Sequence, residues 1–239
     1  MEEDRNAPLW QKFHDNAQDT TIISTPIVTL IVGEDKREFY AHQGILVSSS
    51  PFFEGCLEGG MREATTKTVE FPEDDVMGHE LLILWMYTSE VRDDYFGSDQ
   101  DAFAGMLAWT LGDKFMIPAF QNQVLERIMD YWYACDDMDP AFFAWALENV
   151  PRTSQLYYAV KDMFIYHIAT GRDKYKGNGK WQQEFAELLA NHENAVEELF
   201  WRSMDLLSME DPQCPIHDDY KVSEEQQRAR LLSRLLRGD

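Results

Sequence analysis

Reactive side chains are plentiful in this 239-residue chain, but few stand at spacings that chemistry requires. Cys214-Pro215-Ile216-His217 is the one metal-like pair. Zinc takes about four ligands, and no second pair at comparable spacing accompanies this one. Ser48, Ser49 and Ser50 lie outside any G-x-S-x-G elbow. Ser50 followed by Pro51 reads instead as a helix cap and first helical residue. Gly33, Gly59 and Gly60 compose no phosphate-binding loop. His42 has no Cys, Asp or second His at a useful spacing and reads as a structural histidine. Carboxylate pairs are everywhere in so acidic a sequence and therefore single out nothing. The sequence predicts no enzyme, no cofactor and no metal site.

Binding is left, and its signals concentrate between Phe39 and Phe71. Ser50-Pro51 starts a helix and Gly59-Gly60 stops it. Met61-Arg62-Glu63 then presents an apolar and an acidic residue on a loop, before Thr66 to Phe71 alternates as a strand. Such a loop suits protein contact, because a flexible thioether fills irregular pockets and a nearby carboxylate adds a directional hydrogen bond.

The elements that must position this loop can be read on either side. Ile27 to Val32 is an apolar run of strand length. The turn Gly33-Glu34-Asp35-Lys36 and a second strand ending near Ala41 complete a hairpin, and His42 opens a short helix through Val47. Asp74 and Asp75 are set to cap a helix to about Tyr87. Its Met77, Leu81, Leu84, Trp85 and Thr88, widened by Leu82, Ile83 and Met86, make it apolar on nearly all sides and predict burial. Arg92 to Asp101 reads as a connection. Phe103, Leu107, Leu111 and Phe115 form a helical ridge, Pro118 breaks it, and a second helix carries Phe120, Val124, Ile128 and Trp132 as an antiparallel partner. Helical patterns continue at about 139–149, 153–170, 181–190 and 193–208, with 172–180 (RDKYKGNGK) as an exposed basic turn. A linker with Pro212 and Pro215 leads to a capping box at Ser223-Glu224-Glu225-Gln226. Beyond it, Leu231, Leu232, Leu235 and Leu236 form a stripe beside Arg228, Arg230, Arg234 and Arg237.

Hydrophobic residues at 44% and aromatics at 13% suffice for a core. A formal charge of −22 repels phosphate backbones and anionic lipid heads, which argues against nucleic-acid or membrane-surface binding and is compatible with basic protein partners. Three scattered cysteines give no disulfide framework. The acidic first residues and the absence of any apolar run of about 18 residues show neither a secretory signal nor a membrane span. The expected location is cytoplasm or nucleus.

Phe39, Ala41-His42, Ile45-Leu46, Ser50, Phe52-Phe53, Met61 and Glu63 together resemble the signature of the BTB/POZ domain. Val28 to Gly33 is similar to the family's first sheet strand, Leu84-Trp85-Met86-Tyr87-Thr88 to a Trp/Tyr-rich helix end, and Leu111 to Gln121 to its last helical pair. The resemblance spans about residues 25 to 132 and is closest in flavour to filamentous-fungal members with a helical tail. It implies an α+β fold, a small sheet with helical hairpins around it, followed by an all-α extension. It also implies a hydrogen-bonded His42 at the strand-to-helix corner, and it keeps a metal reading of Cys214 and His217 open. The expected boundaries are an N-terminal arm (1–22), the BTB/POZ domain (23–132), a helical extension (133–210), and a linker with a C-terminal amphipathic helix (211–239).

In family members that recruit a cullin-type ubiquitin-ligase scaffold, an apolar residue, any residue and an acidic residue follow the Ser-x-Phe-Phe helix and enter the scaffold's groove. Met61 and Glu63 match, with Phe53 and Tyr87 as further partner-binding candidates. On this reading the protein is a substrate adaptor whose unknown substrate is held by the helical tail or by residues 209–239. The alternative is a self-associating or transcription-associated scaffold without cullin binding. Transcriptional relatives use a charged pocket at positions that here are Ile27 and Gln43, so both charges are missing. Homodimerisation stays open: relatives exchange an N-terminal segment, and here Trp10 and Phe13 are its main apolar residues, with Pro26 interrupting the approach to the first strand.

Overall fold

The computed structural model describes residues 22–171, 179–192, 199–201, 204, 213–226 and 229. The expected N-terminal arm up to residue 21, the basic turn up to residue 178, most of the helix expected at 193–208 and the Leu/Arg stripe lie outside the described residues, and the last two residues of the turn, 179 and 180, are already helical. The chain divides into two compact units. One runs through Tyr95 and resumes at Ala104–Val124 and from Ser223; the other comprises Phe96–Phe103 and Leu125–Val222.

In the first unit β1 (Ile27–Val32) pairs antiparallel with β2 (Arg37–His42) and parallel with β3 (Thr68–Phe71), giving the order β2-β1-β3. Alternation sets the faces. Val28, Leu30 and Val32, with Ala41, Val69 and Phe71 beside them, are buried, whereas Ile27 and Tyr40 on the opposite face are exposed. Between β2 and β3 come α1 (Gln43–Ser49), α2 (Pro51–Glu58) and the short α3 (Arg62–Thr66). A small sheet with helices around it, followed by further helices, is the α+β arrangement expected.

The core beneath the sheet is an aromatic cluster. Phe53 and Phe115 lie 5.1 Å apart between ring centroids, and Phe71 lies 5.3 Å from Phe115. Burying rings of this size contributes about 1.5–3 kcal/mol each. α4 (Val76–Thr88) closes this layer. Asp75 caps it by accepting from the Gly78 N–H at 2.7 Å, whereas Asp74 turns to His79 and Lys114. Its burial is less complete than expected: Leu81, Leu82, Trp85 and Met86 are inside, but Met77 and Leu84 face solvent, so only part of its apolar surface meets the core.

The expected connection at residues 92–101 is already partly helical, with a 3-10 turn at Asp93–Tyr95 and α5 starting at Asp99. α5 (Asp99–Lys114) buries Ala102, Met106 and Trp109 more deeply than Phe103 and Leu107, which are intermediate. Leu111 and Phe115 are buried as expected, so the buried face shares only part of the expected ridge. Small residues allow close approach: a Cβ on Gly112 would meet Gln121 Cγ at 2.5 Å. α6 (Pro118–Ala134) buries Phe120, Val124, Ile128 and Trp132 as expected.

The second unit is helical: α7 (Pro140–Asn149), α8 (Gln155–Thr170) and α9 (Gly179–Asn191). Phe143 stacks on Phe164, and Phe164 on Phe185, with centroids 5.6 and 5.9 Å apart. The described part of the segment read as a linker, residues 213–219, is exposed or half-buried, and packing resumes just after it, where Tyr220 and Val222 are buried and the Tyr220 hydroxyl lies 3.0 Å from Asp162. Ser223 and Gln226 exchange the two hydrogen bonds of a capping box, at 3.0 and 3.2 Å. No helix among the described residues is long and apolar enough to cross a membrane.

Candidate functional site

The site is built by α2, α3 and β3. Ser50 begins it: its hydroxyl accepts from the Phe53 N–H at 3.4 Å and donates to the Phe115 carbonyl at 2.7 Å. One side chain thus caps α2 and anchors it to the chain after α5. Pro51 follows at the first helical turn. α2 ends where a Cβ on Gly59 would collide with the Gly55 carbonyl oxygen, and Gly60 adopts φ +78°, a conformation open to glycine. The chain reverses there and Met61 leads straight into α3.

Here the structure corrects the sequence reading. Arg62 to Thr66 is a helical turn rather than a loop and strand start, held by Ala64 N–H to Met61 O at 3.1 Å and Lys67 N–H to Glu63 O at 2.9 Å. Lys67, at φ 53°, terminates it in the left-handed region, and β3 begins at Thr68. Met61 and Glu63 are therefore fixed to a short helix. The Met61 side chain is 58% exposed, Arg62 is exposed and Glu63 half-buried.

Beside them opens a groove of about 760 Å³. Phe52, Gly55 and Cys56 of α2 form one wall, Met61 and Glu63 the end, and β3 the other wall. Glu54, Glu58, Glu63 and Glu70 outnumber Arg62 and Lys67 over residues 51–71. Burial, and then the Glu63 charge, push the Cys56 thiol up, so it remains a protonated wall residue rather than a nucleophile.

The four candidate residues do not converge. Phe53 is 1% exposed, with its ring against Phe52, Phe71 and Phe115, and it bears on the site through the position of α2. Tyr87, on α4, meets β2, which lies on the other side of β1 from β3. Its oxygen accepts from the His42 N–H at 2.9 Å and its hydroxyl lies 2.8 Å from His42 Nδ1. His42 and Tyr87 thus tie the end of β2 to α4. Sequence reasoning missed the groove-forming Phe52, Gly55 and Thr68, whose only signal is their place beside the Met61 turn. Cys214 and His217 find local partners, Sγ 4.0 Å from Met163 Sδ and Nε2 3.2 Å from Asp218 Oδ1. Among the described residues no group of three metal-ligating side chains stands together.

No curated protein matches this chain significantly. The family model described as BTB/POZ domain matches residues 27–129, from the first residue of β1 into α6. The matched segment contains the three-stranded sheet, the Ser50-capped helix and the Met61–Glu63 turn, and over these residues the chain is similar to the BTB/POZ domain.

Proposed function

We propose that this BTB/POZ protein, a protein–protein interaction module by its family, is a substrate adaptor that docks a cullin-type scaffold through Met61 and Glu63. The observation that carries the reading is the 58% exposure of Met61 at the head of a short helix, two residues before Glu63. A long apolar side chain is held in solvent on a turn braced by Ser50, Gly59 and Gly60. Free in the monomer, it gains most from a partner's pocket. Phe53 supports the surface from beneath, Tyr87 braces β2 through His42, and the helices beyond residue 133 offer the second surface an adaptor needs for its substrate.

Titrating the full chain against the N-terminal domain of the cullin that serves BTB adaptors, by calorimetry, tests this. Wild type is expected to bind and a Met61→Asp, Glu63→Lys variant to lose at least tenfold in affinity. Absence of wild-type binding overturns the adaptor reading. The self-associating scaffold is favoured by a different observation, the exposed Ile27 and Tyr40 on the outer sheet face. It requires dimers in sedimentation at tens of micromolar that Tyr40→Lys dissociates.

A further inference from the structure

Among the described residues the β3 strand is an edge, paired with β1 alone. The Thr29 N–H donates to Lys67 O and the Gly33 N–H to Phe71 O, each at 2.9 Å. In a parallel ladder the bonding residues alternate, so Val69 and Phe71 turn their backbone groups toward β1 while Thr68 and Glu70 turn theirs away. Those four outward N–H and C=O groups meet no described backbone partner. Unpaired edge groups are a template for another strand.

The groove lies where that strand's side chains would go. Val69 and Phe71 point into the core layer, and the wall formed by Phe52, Gly55 and Cys56 continues this layer past the sheet edge. A strand laid beside β3 sends every second side chain into this space. Gly55 keeps it open, since a Cβ there would meet nothing within 4 Å. The outer face at this edge carries Glu70, the groove end carries Glu63, and the chain as a whole is at −22.

We propose that the β3 edge takes an extended segment of a basic partner protein as a fourth strand, with apolar residues at alternate positions in the groove and Lys or Arg between them facing Glu70. Backbone pairing supplies the geometry and alternate pockets the selectivity, the general logic of strand addition. The segment's charge is set by the acidic rim. The groove shares Met61 and Glu63 at its end with the cullin reading, but Gly55 and the β3 backbone do not belong to that reading, so changes there test strand addition apart from it.

The probe is an end-capped, fluorescein-labelled Lys-Ile-Lys-Val-Lys-Ile-Lys peptide, titrated by anisotropy against the full chain. Saturable binding is expected. N-methylation of one alternating set of amides should weaken it at least tenfold while methylation of the complementary set leaves it within about twofold, a signature of a ladder formed on one side only. Gly55→Leu, whose Cβ meets nothing within 4 Å and whose side chain projects toward the groove while favouring the helix, should weaken it at least tenfold. No saturable binding, equal tolerance of both methylated sets, or indifference to Gly55→Leu overturns the proposal. So does a dimer of the protein itself that Gly55→Leu dissociates, which would assign the edge to a second copy.

Discussion

Replacing Asp74 with alanine should destabilise the first unit by about 2–3 kcal/mol, and the structure says why. The carboxylate is 12% exposed; Oδ2 lies 2.9 Å from His79 Nε2, and Oδ1 and Oδ2 lie 2.7 and 2.8 Å from Lys114 Nζ. His79 is fully buried, with its ring 4.9 Å from Phe71 and 5.6 Å from Phe115, and its Nδ1 has no hydrogen-bond partner among the described residues. Asp74 is thus the side chain that satisfies the ring's polar edge. Removing it orphans a buried N–H at a cost of about 1–3 kcal/mol. The Lys114 pair adds at most about 0.5 kcal/mol, since that side chain is 42% exposed and screened by solvent. Asp74→Asn keeps an acceptor for Nε2–H and should cost about 1 kcal/mol, and Lys114→Met less still. Thermal unfolding followed by circular dichroism should lower the midpoint by roughly 5–10 °C for Asp74→Ala in a chain of this size.

The pH dependence has a definite sign. Burial works to raise the Asp74 pKa, but the hydrogen bonds from His79 and Lys114 outweigh it and hold the carboxyl below its ordinary 3.8. A depressed pKa contributes stability that is present above the unfolded value and disappears as pH falls through the folded one. The gap between wild type and Asp74→Ala should be flat above about pH 5 and narrow below about pH 4. A gap that widens on acidification, or a Lys114→Met variant as damaging as Asp74→Ala, refutes the account.

Two further changes probe the frame of the site. Ser50→Ala removes the cap of α2 and leaves the Phe115 carbonyl unpaired in the core, so urea denaturation should show a loss of about 2 kcal/mol. Gly112→Ala, normally favourable in a helix, should lose about 1–3 kcal/mol in the same assay, because the new methyl meets the buried Gln121 side chain at 2.5 Å and Phe120 Cδ1 at 3.2 Å.

Much of this frame is legible without coordinates because it is punctuated locally. Ser50-Pro51, Gly59-Gly60 and the Ser223 to Gln226 box announce their own geometry, and the alternation in β1 and the period in α6 announce theirs. What escaped depends on distant neighbours. Thr66 at the head of an alternating run reads as strand, but the left-handed Lys67 lets one helical turn close first, and that conformation is stabilised where the Lys67 carbonyl takes the Thr29 N–H. Met77 and Leu84 extend a helical stripe that the core does not cover. Tyr87 meets His42 across 45 positions, a contact no local pattern encodes.

The candidate site shows the same division more sharply. Phe53 and Met61 belong to one sequence signature, yet one is 1% exposed and the other 58%. A signature records every residue needed for a surface to exist, whether it builds that surface or touches a partner, and only burial separates the two roles. The groove and the free side of β3 lie further from sequence, because an edge is defined by the strand that is not beside it. Gly55 illustrates the point: read along the chain it weakens a helix, and read across to β3 it leaves the space into which a partner's side chain fits. Substitutions that strengthen α2 while filling that space should therefore raise stability and abolish strand addition together, a pairing that a purely structural role for the groove does not produce.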